Sequence, residues 1–125
     1  MPLPNVDQFT QVFQGLKLIL QQYAPEMDVK TNTDEVYYLN THQINPIYKQ
    51  ITFFGSVQVK KNYVSYYLMP VYACPDLLQG ISIGLQKRMQ GKSCFNFKVV
   101  DEELFKELAV LTEKGYQAYL ARGWV

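Results

Sequence analysis

The residues of this chain with the strongest chemical signature lie between positions 86 and 94. The string Gly91-Lys92-Ser93 matches the end of a phosphate-binding P-loop, in which backbone N–H groups surround a phosphate. A P-loop also needs a glycine five positions before Gly91, where this chain has Gln86, and Gly84 is out of register. A P-loop runs from a strand into a helix, whereas here a helix is predicted before Gly91 and a strand after it. The sequence therefore excludes a P-loop.

The basic residues around this glycine could instead attract a small anion. If a short helix ends at Gly91, Arg88 and Lys92 lie four residues apart on one helix face, with Lys87 one step round. The Ser93 hydroxyl can add a hydrogen bond to a phosphate or carboxylate. The negative end of the helix opposes an anion, so we expect weak binding. The candidate ligand-binding residues are Lys87, Arg88, Gly91, Lys92 and Ser93. In the structural alternative, Gly91 only ends the helix and the cations are solvated.

The distribution of charge points to the same part of the chain. Twelve basic and 11 acidic residues give a net charge of +1, which argues against binding to nucleic acid or a membrane surface through bulk charge. Between residues 36 and 98, seven lysines and arginines oppose the single acid Asp76, a net +6. No nucleic-acid motif accompanies the aromatic residues on the predicted strands. We therefore expect a small anionic ligand or a protein as partner, and neither nucleic acid nor membrane.

A cysteine nucleophile or a soft metal site would have to use Cys74, Cys94 or His42, since the chain has two cysteines and one histidine. No motif places His42 near Cys94, and no spacing typical of a zinc site is present. We predict that Cys94 is a packed thiol that resists alkylation, whereas fast labelling would indicate an activated thiolate. An enzyme is thus the less favoured class, and a Cys74–Cys94 disulfide is open.

The elements that must position these residues form an α+β pattern. Apolar residues at spacings of three and four predict an N-terminal helix that Pro25 stops. Alternating patterns predict strands at 35–40, 50–69 (a hairpin) and 94–98. Ser82 caps a short helix before the last strand, and Asp101 caps the C-terminal helix. We expect one domain over residues 1–125, with an antiparallel sheet packed against the N-terminal and C-terminal helices.

The register of the hairpin follows from its alternation. The side chains expected to face the helices are Ile51, Phe53, Val57 and Val59. The polar residues between them, Thr52 among these, should lie on the other face. Replacing Phe53 by alanine should then cost about 3–5 kcal/mol.

The expected location follows from segments that are missing. We see no apolar leader and no apolar run of the length that spans a membrane. The sequence therefore predicts a cytoplasmic protein with reduced thiols, as a monomer or a homodimer.

The segment from Tyr66 to Leu111, YYLMPVYACPDLLQGISIGLQKRMQGKSCFNFKVVDEELFKELAVL, resembles the domain of unknown function 1801 family, also called YdhG-like. The shared features are a strand ending in Tyr67-Leu68-Met69-Pro70, the Pro75 to Leu78 segment and the Gly91 to Cys94 signature. The resemblance implies an α+β domain without assigned chemistry, found in many small bacterial proteins. One branch of the family carries a frataxin-like iron-chaperone label.

The number and positions of the carboxylates in this chain test the iron-chaperone label. Frataxin-like iron delivery relies on a ridge of exposed carboxylates, because hard cations prefer oxygen ligands. The first helix offers only Asp7, and the acidic clusters are limited to Asp34–Glu35 and residues 101–103. The sequence therefore favours a non-enzymatic ligand-binding or interaction module, with no metal site and no cofactor. The alternatives are a frataxin-like iron-binding protein and, second, a cysteine-dependent enzyme.

Overall fold

The computed structural model describes the chain from residue 4 to residue 125, with side chains from residue 8 onward. Within these residues, α-helices span Pro4–Gln21 (α1), Met69–Ala73 (α2), Ile83–Gln86 (α3) and Glu102–Arg122 (α4). The strands span Asp28–Asn32 (β1), Val36–Ile44 (β2), Ile51–Val59 (β3), Val64–Leu68 (β4) and Cys94–Phe97 (β5). Short 3-10 turns occur at Ala24–Glu26 and Pro75–Leu78. No helix within residues 4–125 is long and apolar enough to cross a membrane.

The strands form one antiparallel sheet in the order β1-β2-β3-β4-β5. Neighbouring strands follow each other directly along the chain, except that α2 and α3 lie between β4 and β5. The predicted α+β class is confirmed, including the two terminal helices and the short helix before the last strand. The strand pattern was incomplete, because β1 was not predicted as a separate strand and β2 extends beyond residue 40 to Ile44.

The long helices α1 and α4 cover one face of the sheet and enclose the core with it. In the apolar stripe of α1, Phe13, Leu16 and Leu20 are at most 1% exposed, as predicted, while the side chain of Val6 lies outside the described residues. The ring of Phe54 lies 5.4 Å from that of Tyr23 and 5.8 Å from that of Tyr119. These contacts tie the end of α1, the middle of β3 and the end of α4 into one apolar core.

The predicted register of β3 is wrong in its first half. Phe54 is fully buried in the core, while Ile51 is 45% exposed and Phe53 is half-buried with its ring stacked on Tyr38. The cause is a bulge, since Leu39 pairs with Gly55 and the next residue of β2 pairs with Phe53. A bulge inserts one residue and moves every preceding side chain to the opposite face. Thr52 is therefore buried instead of exposed.

Val57, beyond the bulge, is fully buried as predicted, and Val59 packs against the core. Gly55, at the bulge, lies so close to α1 that a Cβ atom there would stand 2.9 Å from a methyl group of Leu20. A larger residue would push the helix from the sheet, which explains a glycine within a strand.

The segment after α3 also differs from the prediction. Ser82 caps α3 as predicted, because its hydroxyl accepts a hydrogen bond from the Leu85 N–H. The helix ends at Gln86, however, five residues before Gly91. The chain then turns back on itself, and the Gln90 N–H donates to the carbonyl of Cys94 at 2.9 Å. Gly91 has the left-handed φ that was expected for it, 83°, but it lies in this tight turn and not at the end of a helix.

The ends of α4 agree with the sequence. The Asp101 carboxylate accepts a hydrogen bond from the Leu104 N–H at 3.1 Å and caps the first turn. Gly123 follows Arg122 with a left-handed φ of 72° and ends the helix. Both helix boundaries were predictable because each depends on one local side chain or backbone conformation.

Candidate functional site

Three basic residues line one small cavity beside β5. This cavity, called the basic cleft below, has a volume of about 300 Å³. Its lining consists of Tyr63, Lys87, Arg88, Met89, Gln90, Asn96 and Lys98. None of these residues is acidic, so the cleft presents positive charge without an internal counter-charge.

The basic cleft forms because the segment after α3 runs alongside β5. Met89 forms an isolated antiparallel bridge with Phe95, whose side chain is fully buried. The Asn96 N–H donates to the carbonyl of Arg88 at 2.8 Å, which fixes the backbone of Arg88 against the strand. Lys98 follows the end of the same strand. Two segments of the chain therefore contribute basic side chains to the basic cleft.

Two residues that line the basic cleft, Gln90 and Asn96, belong to a chain of side-chain hydrogen bonds. The Asn96 amide donates to the side-chain carbonyl of Gln90 at 2.6 Å, and its own carbonyl accepts from the Ser65 hydroxyl at 2.7 Å. Ser65 is buried on β4, the neighbouring strand. This network orients Asn96 through contacts on both of its sides, and it connects the cleft to the body of the sheet.

The predicted site residues do not all come together. Lys87 and Arg88 line the basic cleft, but Lys92, Gly91 and Ser93 do not. The ammonium group of Lys92 instead lies 5.9 Å from the ring centre of Tyr72 on α2. The predicted pairing of Arg88 with Lys92 assumed a continuous helix, and α3 ends before both residues. Lys98 takes the place that the sequence analysis gave to Lys92.

Cys94 lies near the basic cleft but has the properties of a structural thiol. Burial raises the pKa of its thiol, although hydrogen bonds with Ser65 and Tyr67 act in the opposite direction. Its Sγ donates to the side-chain carbonyl of Asn96 at 3.4 Å. A raised pKa leaves less thiolate at neutral pH, which disfavours nucleophilic chemistry.

The candidate partner for a cysteine nucleophile is also remote from Cys94. His42 lies on β2, and Cys94 on β5, with two strands between them. At the usual strand spacing this separation is about 14 Å, so no Cys–His pair forms. Both cysteines are free, so the disulfide left open by the sequence is absent.

The carboxylates of the described residues are the ligands that an iron site would need. Among those residues, no group of three or more His, Cys, Asp or Glu side chains is placed to hold a metal ion. Asp101 is used as the cap of α4. The side chain of Asp7, which bears on the iron alternative, lies outside the described residues.

A second and larger cavity was not anticipated from the sequence. This aromatic cavity has a volume of about 600 Å³ and lies where the first half of β3 meets α2 and the end of α4. It is lined by Lys30, Tyr38, Asn40, Asn45, Tyr48, Gln50, Ile51, Thr52, Phe53, Met69, Tyr72, Ala73, Tyr119 and Trp124. The lining comes from widely separated segments, and one of them changes face at the β3 bulge. Neither feature could be inferred from local patterns.

Comparison of the chain with protein-family models, curated proteins and solved structures finds no match.

Proposed function

We propose that this protein is a non-enzymatic ligand-binding domain and that the basic cleft binds a small anion, phosphate or carboxylate. The observation that carries this proposal is the convergence of Lys87, Arg88 and Lys98 on one cavity that no acidic side chain lines. The guanidinium of Arg88 can bind two anion oxygens at once, while the two lysines act as point charges. The side-chain amides of Asn96 and Gln90, which also line the cleft, can add polar contacts.

The expected affinity is weak. All three cations are exposed to solvent, so their attraction is screened by water and salt. We expect a dissociation constant on the order of millimolar to high micromolar, which rises with ionic strength. The carbonyl groups at the end of α3 accept hydrogen bonds from the N–H groups of residues 87–89, so they oppose an anion less than the free carbonyl groups of a helix end would.

The wider identity of the protein belongs to the same proposal. The resemblance of residues 66–111 supports a YdhG-like domain in a bacterial cytoplasm, where the two free thiols would stay reduced. A protein partner is the alternative occupant of the basic surface. No arrangement of the described side chains supports the frataxin-like iron-binding function or the cysteine-dependent enzyme.

Phosphate titration of the isotope-labelled protein tests the proposal. We expect saturating amide shifts at residue 63 and in the segments 87–90 and 96–98. A parallel titration with sodium chloride at matched ionic strength separates binding from screening. Shifts that spread evenly over all lysines, or that the chloride series reproduces, would contradict an anion site in the basic cleft.

A further inference from the structure

We propose that the aromatic cavity is a second ligand site, for a small aromatic carboxylate of one or two rings. It shares no lining residue with the basic cleft. A volume of about 600 Å³ lies within the usual range for small-molecule sites. The ligand class follows from three features of the cavity: its aromatic walls, a buried hydroxyl without a partner, and a single positive charge.

The aromatic walls favour a planar apolar ligand. Tyr38 and Phe53 stack with ring centres 4.6 Å apart, and Tyr119 packs against Trp124 at 5.4 Å. All four rings line the cavity. Rings that are already held by their neighbours lose little conformational freedom on binding, which favours stacking with a rigid ligand.

The buried hydroxyl belongs to Thr52. This residue is 4% exposed. Among the described residues, its Oγ1 is the one buried side-chain nitrogen or oxygen atom without a hydrogen-bond partner. An unsatisfied buried hydroxyl destabilises the folded protein, so such a group calls for an explanation. Thr52 lines the cavity, so a rotation about its Cα–Cβ bond would present this hydroxyl to a ligand oxygen, which would supply the missing partner.

The cavity exists because β4 is shorter than β3. Pairing between these strands begins at Gly55 and Leu68, and Met69 already starts α2. Residues 51–54 of β3 therefore have a strand neighbour only on the β2 side. A longer β4 would have occupied the space beside this edge of β3. The backbone carbonyl of Phe53 accepts a hydrogen bond from the Tyr119 hydroxyl at 2.8 Å, which satisfies part of this edge.

Two polar groups of the cavity are already occupied. The side-chain carbonyl of Asn45 accepts from the N–H groups of Ile47 and Tyr48 and shapes the loop before β3. Burial raises the pKa of Tyr119, and its hydroxyl is used in the contact with Phe53. The Thr52 hydroxyl and the side-chain amide of Asn40, which is 9% exposed, are among the buried polar groups that remain to contact a ligand.

A single positive charge sets the preference for a carboxylate. Lys30 is the cation in the lining, and no acidic residue lines the cavity. Its ammonium lies 5.5 Å from the centre of the Tyr38 ring, which holds it above the stacked Tyr38–Phe53 pair. A ligand with one negative charge would be attracted, and a cationic ligand repelled.

The test is a titration with 2-naphthoate, with its uncharged amide and its cationic methylamine analogue as comparisons. Trp124 is the only tryptophan of the chain and lines the cavity, so its indole N–H signal reports binding directly. We expect this signal to shift saturably with 2-naphthoate, less with the amide and least with the amine. Equal binding of the amine, or an indole signal that does not move, would overturn the proposal.

Two variants separate the hydroxyl from the charge. Thr52→Val should weaken naphthoate binding by about threefold to tenfold, the value of one hydrogen bond. It should also raise the urea midpoint, because it removes an unsatisfied buried hydroxyl.

Lys30→Gln should weaken naphthoate binding but leave amide binding unchanged. Thr10→Val, at an exposed site on α1, is the matched control and should change neither quantity. Unchanged binding in Thr52→Val together with a lowered urea midpoint would show that the hydroxyl has a structural role only.

Discussion

The carbonyl of Arg88 accepts a hydrogen bond from the Asn96 N–H at 2.8 Å, and this contact aligns the segment after α3 with β5. It brings Arg88 into one cleft with Lys98, ten residues further along the chain. Lys92, only four residues from Arg88, lies outside this cleft and contacts Tyr72. The proximity of the basic residues in this cleft is therefore set by strand pairing and not by the helical spacing that the sequence suggested.

Because of the bulge in β3, two adjacent phenylalanines are buried to different extents. Phe54 is fully buried, so Phe54→Ala should lower the free energy of unfolding by about 3–5 kcal/mol. Phe53 is half-buried and stacked on Tyr38, so Phe53→Ala should cost only about 1–2 kcal/mol. Urea denaturation of both variants measures the difference. A larger loss for Phe53→Ala would contradict the register described above.

This pair also shows how far the sequence could predict the fold. The class, the two long helices and the helix caps depend on local periodicity and on single residues such as Ser82 and Asp101, and they were predicted. The register of β3 depends on one inserted residue. The only sign of this inserted residue in the sequence was Gly55. An alternating pattern that continues through Gly55 places Phe53 in the core instead of Phe54.

The close approach of α4 to α2 predicts a second stability effect. A Cβ atom on Gly115 would lie 2.7 Å from the Cβ of Pro70. Gly115→Ala should therefore cost about 1–2 kcal/mol despite the better helix propensity of alanine, because overpacking outweighs that gain. Gly84→Ala, whose Cβ would meet its nearest neighbour at 3.4 Å, is the control and should not destabilise the protein. Equal urea midpoints for the two variants would argue against a tight contact between α2 and α4.

The environment of Cys94 predicts slow alkylation. Burial raises the pKa of this thiol, so little thiolate forms at neutral pH. Cys74→Ala leaves Cys94 as the single thiol, and its reaction with iodoacetamide should be much slower in the native protein than in urea. The rate should increase as the pH rises past about 8.5, the usual pKa of a cysteine. A native rate at pH 7 equal to that in urea would instead indicate an activated thiolate and favour the cysteine-dependent enzyme.

Buried tyrosines predict a loss of stability at alkaline pH. Burial raises the pKa values of Tyr66 and Tyr119, whose hydroxyls contact Thr112 and the carbonyl of Phe53. Above about pH 10 the unfolded chain releases these protons while the native state keeps them, so the free energy of unfolding should fall with rising pH. Urea midpoints measured between about pH 8 and pH 11 test this. In Tyr66→Phe the slope should be shallower, and an unchanged slope would mean that Tyr66 does not contribute.

The candidate sites could be predicted only in part, for a physical reason. Lys87 and Arg88 were recognised because they are neighbours in the sequence. Lys98 was not, since its place in the basic cleft depends on the pairing of Arg88 with Asn96. The aromatic cavity depends on where β4 stops, and strand length is a property of the folded sheet.

A comparison of phosphate affinity among charge-matched variants tests the central claim most directly. Lys98→Ala, Arg88→Ala and Lys92→Ala each remove one positive charge, so bulk electrostatics predicts equal effects. The basic cleft predicts that Lys98→Ala and Arg88→Ala raise the dissociation constant about threefold to fivefold, while Lys92→Ala leaves it within about a factor of 1.5. Amide-shift titrations at low ionic strength provide these constants. Equal weakening in all three variants, or a loss confined to Lys92→Ala, would contradict an anion site formed by Lys87, Arg88 and Lys98.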